Sequence, residues 1–214
     1  MDATTGPGRA GTDKAGLAVF IAGLAIAIGA LGSNAVDWLW VGILLGFALL
    51  VYGLPGVHAY QAPADGAAGR WGALLVRFGC AIVVALGLFY LAWEAIGDPP
   101  EEGGGVIDAL WMIGFFGFAI GIVLFAIGTI KAKVLPTAAA ALMLVGIVAA
   151  IAIDMATGAF SEDDAGTTTA WGFLIGVPLF GAALAWIGYT VWKGNTATTT
   201  TAAPPPITTP PPTA

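Results

Sequence analysis

The stretch Val106–Ile130, VIDALWMIGFFGFAIGIVLFAIGTI, decides the fold: its one charged side chain, Asp108, stands near its start. A hydrocarbon layer about 30 Å thick asks for about 20 predominantly apolar residues in a helix, and this run exceeds that. It is continuous rather than alternating, and far longer than the about 9–11 residues of a spanning strand, so a helix is the only fit. Acidic and glycine residues (Glu101-Glu102-Gly103-Gly104-Gly105) precede it and a basic pair (Lys131, Lys133) follows it. One end is thus marked negative and the other positive.

Reading outward gives five more runs of this kind, Ala15–Gly32, Trp38–Val57, Leu74–Ile96, Val134–Ile153 and Ala170–Trp192. Composition agrees: of 214 residues 58% are hydrophobic and 9% charged, with a mean hydropathy of +0.91. Seven Lys+Arg and thirteen Asp+Glu cannot clothe the surface of a soluble domain. The reading is an all-α polytopic membrane protein with six transmembrane helices arranged as three helical hairpins. It has a cytoplasmic segment 1–14, a bundle 15–193 and a disordered Thr/Pro-rich tail 194–214. Helix one has a basic flank and a small-residue site at Ser33-Asn34-Ala35. It is nonetheless read as a retained span, since its apolar run exceeds the 7–15 residues of a signal peptide.

Orientation follows from charge. Arg9, Lys14, Arg70, Arg77, Lys131, Lys133 and Lys193 all fall on one face if there are six spans, and the positive-inside rule makes that face cytoplasmic. Both termini are then cytoplasmic, in the inner membrane of a bacterium. Ten acidic residues, among them Asp37, Glu94, Asp108 and Asp154, stand at the outer ends, against Asp2, Asp13 and Asp65 inside. The outer face therefore carries −10 and the inner face +4. Trp38, Trp40, Trp93, Trp111 and Trp171 mark the outer boundary, and Trp71 and Trp192 the inner one.

The even-numbered helices share a pattern. Gly46 and Gly53, Gly121 and Gly128, and Gly181 and Gly188 are pairs two turns apart, each placing a smooth stripe on one helix face for a close neighbour. Gly42 and Gly117 extend two of the stripes. Pro136 sits at the start of the fifth helix, where a missing N–H costs nothing. Pro178 lies inside the sixth and bends it for packing or, alternatively, as a gating hinge.

Chemistry has little to work with. No catalytic, cofactor-binding or metal site can be assembled, and no cofactor or nucleic-acid partner is expected. The lone His58 lies at the cytoplasmic end of helix two, away from the external Ser33 and Ser161 and from the acidic groups. Cys80 is single and within a span, a small apolar filler. Outside the Thr129, Thr137 and Thr190 hydroxyls and the Tyr52 and Tyr90 phenols, the spans are hydrocarbon and glycine, with Arg77 reaching for the inner water. Glu94 and Asp108 stand at similar depth on adjoining helices. They are topology markers, or else a carboxylate pair able to bind a cation. The Thr/Pro tail stays solvated, unless it is a ligand for a proline-recognising module.

The stretch from Gly46 through Tyr52-Gly53-Leu54-Pro55-Gly56-Val57-His58-Ala59-Tyr60-Gln61 to Gly69-Arg70-Trp71-Gly72 resembles the helix-two exit and inner loop of small uncharacterised polytopic membrane proteins of high-GC bacteria. The three-hairpin plan is similar to the HdeD-like family of six-span bacterial membrane proteins associated with acid stress. The acidic outer loops and the tail depart from that family, and the resemblance implies no site residue. The expectation is a non-catalytic protein acting through helix packing with lipid, with a membrane-protein partner or with further copies of itself through the glycine-lined helix faces, as an accessory subunit or envelope-stress factor. The alternative is a small transporter or channel with an acidic outer mouth.

Overall fold

In a computed structural model of the chain, residues 9–32, 36–97, 105–157 and 171–194 are described. The Ser33-Asn34-Ala35 site, residues 1–8, the acidic stretches 98–104 and 158–170 with Ser161, and the tail 195–214 lie outside the described residues. All six expected spans are present as helices long and apolar enough to cross a membrane. They are α1 (Arg9–Gly32), α2 and α3 (the spans Trp40–Ala62 and Ala64–Ile96 of one helical stretch, Trp40–Ile96), α4 (Val106–Ala132), α5 (Thr137–Thr157) and α6 (Trp171–Trp192). A short 3-10 turn, Asp37–Leu39, leads into α2.

The segment between spans two and three corrects the sequence reading. The apolar runs predict an inner loop over residues 58–73, yet these residues are helical throughout except at Gly66, with φ 63° and ψ −159°. That combination is essentially restricted to glycine. One residue absorbs the whole reversal: Gly87 of α3 lies against Leu44 of α2, and the Arg77 Nε of α3 donates to the Val51 carbonyl of α2 at 3.2 Å. Pairs that sum to about the same register on either side of Gly66 can only come from two antiparallel limbs. At the start of α5, the Pro136 carbonyl accepts from Ala139 and Ala140 at 3.0 and 3.2 Å, so this proline sits at the cap rather than inside the helix.

The three hairpins pack as expected, α1 on α2, α3 on α4 and α5 on α6, and α4 also meets α5. The glycine stripes make the seams. A Cβ on Gly46 would meet the Ala22 carbonyl at 2.9 Å, one on Gly53 the Ala15 carbonyl at 2.9 Å, one on Gly121 the Val76 nitrogen at 2.6 Å and one on Gly128 the Gly69 backbone at 2.6 Å. In the third hairpin the pattern changes. Gly181 and Gly188 turn from α5 to α1, where a Cβ would meet the Gly23 carbonyl at 2.6 Å and the Gly16 carbonyl at 2.7 Å. Contact with α5 is made instead by Gly172 and Gly176 against Ala150. The α1–α6 seam thereby closes six helices into a ring.

Outside the ring, large apolar side chains such as Leu31, Phe78, Leu88, Phe116, Ile120, Val148 and Ile175 are exposed. So much contiguous hydrocarbon surface is compatible with a bilayer as the surrounding medium and not with water. Inside, the half of the ring toward Trp71 and Trp192 is closely filled by Leu50, Leu54, Ile122, Phe125, Met143, Leu184 and Ile187.

Candidate functional site

The other half of the ring is not filled. A cavity of about 290 Å³ lies on the bundle axis and takes wall residues from every helix, among them Ile26 (α1), Phe47 (α2), Val83 (α3), Trp111 (α4), Ile147 (α5) and Val177 (α6). Its floor is a chain of aromatic rings: Phe118 stands edge-on to Phe47 at 5.3 Å and to Phe180 at 5.5 Å, the favoured geometry for such pairs. Below that floor the packed core begins. A second cavity, of about 380 Å³ and lined by aliphatic and aromatic residues, shares Ile43, Phe47, Val83 and Trp111 with the first and runs toward Trp40 and Tyr90 between α2 and α3.

Among the described residues, Asp154 is the one ionisable wall residue of the central cavity besides the Cys80 thiol. The sequence places it within reach of the outer water; in the structure it is 7% exposed and its carboxylate is engaged. Oδ1 accepts from the Gly172 N–H at 2.7 Å and Oδ2 from the Phe173 N–H at 3.1 Å. These are two of the first N–H groups of α6, which no helical carbonyl can reach. A carboxylate at that helix end also meets the positive end of the helix dipole. Asp154 therefore caps α6 from α5 and pins the third hairpin at the rim.

At the opposite end, where the sequence shows only a lone His58 and an Asp65 on the inner face, a polar cluster is buried. His58 Nδ1 and Asp65 Oδ2 are 2.8 Å apart, and the Asp65 side chain is 1% exposed. The Asp65 carboxylate covers Gly69 so closely that a Cβ there would strike it, and Gly69 in turn receives Gly128 of α4. The fully buried Gln61 places Oε1 3.2 Å from the Thr129 hydroxyl. That hydroxyl has a single proton and also lies 2.9 Å from the Phe125 carbonyl. Gln61 Nε2 and Tyr60 Oη have no hydrogen-bond partner among the described residues. These contacts tie the tight α2–α3 turn to α4.

Arg77 is exposed and also takes on a role that the sequence does not show. Pro55, inside α2, has no N–H to give to the carbonyl four residues back, that of Val51, and that carbonyl accepts from Arg77 Nε. Its Nε thereby bonds the neighbouring helix and repairs a proline break. This is the usual condition under which a membrane helix tolerates an internal proline.

Glu94 and Asp108, the carboxylates weighed as a pair, are both exposed, and among the described residues they join no group able to hold a metal ion. Cys80 is fully buried in the wall of the central cavity. Pro178 lies within a continuous α6, one residue along from the wall residue Val177. Lys193 rests on Trp192, its ammonium 4.4 Å from the ring centroid. No protein-family model, curated protein or solved structure matches the chain.

Proposed function

We propose that the chain is a non-catalytic integral membrane protein of a bacterial inner membrane, with both termini cytoplasmic, that works through contact with lipid or protein partners as an accessory subunit or envelope-stress factor. One observation carries this reading: among the described residues the cavity on the bundle axis is walled by hydrocarbon and aromatic rings, and the one carboxylate among them, that of Asp154, has both oxygens bonded to the first turn of α6. Catalysis and ion passage need polar groups poised for a reactant or lining a wet path; an apolar wall favours a hydrophobic partner. The transporter reading draws on the same cavity and on Pro178, but it requires water to pass the Phe47–Phe118–Phe180 floor and the packed core beneath. Mild-detergent purification of the full chain with quantitative mass spectrometry of co-purifying lipids and proteins tests the proposal. A reproducible, stoichiometric companion is expected. A chain that comes through strictly monomeric, with neither lipid nor protein retained, contradicts it.

A further inference from the structure

We infer that the axial cavity and its side branch hold one hydrocarbon chain of a membrane phospholipid, with the headgroup at the level of Trp40 and Tyr90 and the chain end on the Phe47–Phe118–Phe180 floor. This rests on the reading of the protein as a lipid- or protein-contacting one, and names the partner.

Three features select a chain. The central cavity, about 290 Å³, is roughly twice the ~150 Å³ apolar cavity that accommodates a benzene ring, which scales to about a dozen carbon atoms. Among the described residues its wall presents Asp154 as the one strong acceptor, at the rim, so water further down would lack the 2–4 polar partners that hold a buried water. The side branch is lined by aliphatic and aromatic residues and joins the central cavity along Ile43, Phe47, Val83 and Trp111, making one tract that starts among interfacial aromatics and ends near mid-bundle. From Trp40 to Phe47 the helix rise spans about 10 Å, so the tract is deeper than a compact ring system requires and suits a flexible chain. Trp40 and Tyr90 combine an apolar body with a polar edge, the property that places such residues beside lipid headgroups.

The test uses the full chain in phosphatidylcholine vesicles doped with a phosphatidylcholine that carries a diazirine midway along one acyl chain. A parallel preparation is doped with the free fatty acid bearing the same diazirine. Both are irradiated and mapped by peptide mass spectrometry. The phospholipid is expected to label the wall residues Val83 and Ile147 as well as the outward-facing Phe78 and Ile120. Ile151→Trp and, independently, Val83→Trp, both at wall positions outside the glycine seams, are expected to abolish labelling of the remaining wall residues while the outward label and the melting temperature persist. Label confined to outward residues in the unaltered chain overturns the site, and wall label from the fatty acid alone overturns the phospholipid as its source. Proton flux is read in the same vesicles from an internal dye. Protein-dependent flux contradicts the underlying reading, whereas an unlabelled wall without flux overturns the chain site alone.

Discussion

Replacing Arg77 by Met and Pro55 by Ala, singly and together, tests whether one span carries a break that another repairs. In the native chain the Val51 carbonyl has lost its helical donor to Pro55 and accepts from Arg77 Nε at 3.2 Å. Met has a similar length and no donor, so Arg77→Met leaves that carbonyl unpaired in an apolar setting, at a cost of about 1–3 kcal/mol. In the Pro55→Ala background the alanine restores a backbone N–H that reaches Val51 itself, and the same Arg77 change loses only what the guanidinium does elsewhere. Whatever each substitution does alone, the cycle isolates the shared term, expected at about 1–2 kcal/mol. Reversible unfolding by sodium dodecyl sulfate in mixed micelles, followed by circular dichroism, measures the four free energies. A cycle that closes within about 0.5 kcal/mol, the margin for independent sites, refutes the reasoning.

Asp154→Ala removes both acceptors from the Gly172 and Phe173 N–H groups and is expected to cost about 2–4 kcal/mol, with Asp154→Asn recovering about half; the same unfolding assay reads it. Gly188→Val drives a side chain into the backbone of Gly16 and Phe20, so the α1–α6 seam opens at a cost of about 3 kcal/mol, the upper end for overpacking. Gly117→Ala, whose new methyl meets its nearest neighbour at 3.8 Å, stays within about 0.5 kcal/mol of the native chain; equal effects of the two would contradict the seam. For orientation, Ser161→Cys and Thr208→Cys in a Cys80→Ala background are expected to react with an impermeant thiol reagent from outside and from inside respectively, and the reverse overturns the charge-based assignment.

The six spans are legible in the sequence because each is a long apolar run between charged ends, and the register of the first two hairpins is legible in their glycine pairs. The ring closure is not. Gly181 and Gly188 have the same spacing as the other pairs, and spacing says that a partner approaches without saying which, so their turn toward α1 depends on the packing of the whole bundle. The inner turn escapes a sequence reading for a related reason. Pro63, Asp65, Gly66 and Gly69 carry the composition of a loop, yet Gly66 alone breaks the helix, while Asp65 and Gln61 are buried because His58 and Thr129 meet them. The rim is hidden because capping rules inspect the residue just before a helix, and Asp154 acts from 18 residues upstream. The cavity has no signature in the chain at all. Its wall is drawn from six helices whose residues read individually as ordinary core.

Cys80, the single cysteine, provides a native reporter inside the cavity wall. The most direct test of an apolar, water-excluding interior is the reactivity of this thiol in intact vesicles toward a charged, membrane-impermeant methanethiosulfonate, compared with the Ser161→Cys chain under identical conditions. The expected result is no modification of Cys80 until the protein is denatured, with prompt modification of the cysteine at position 161. Modification of Cys80 in the folded protein at a rate approaching that of the outer cysteine would mean that water fills the bundle axis, and would contradict the account.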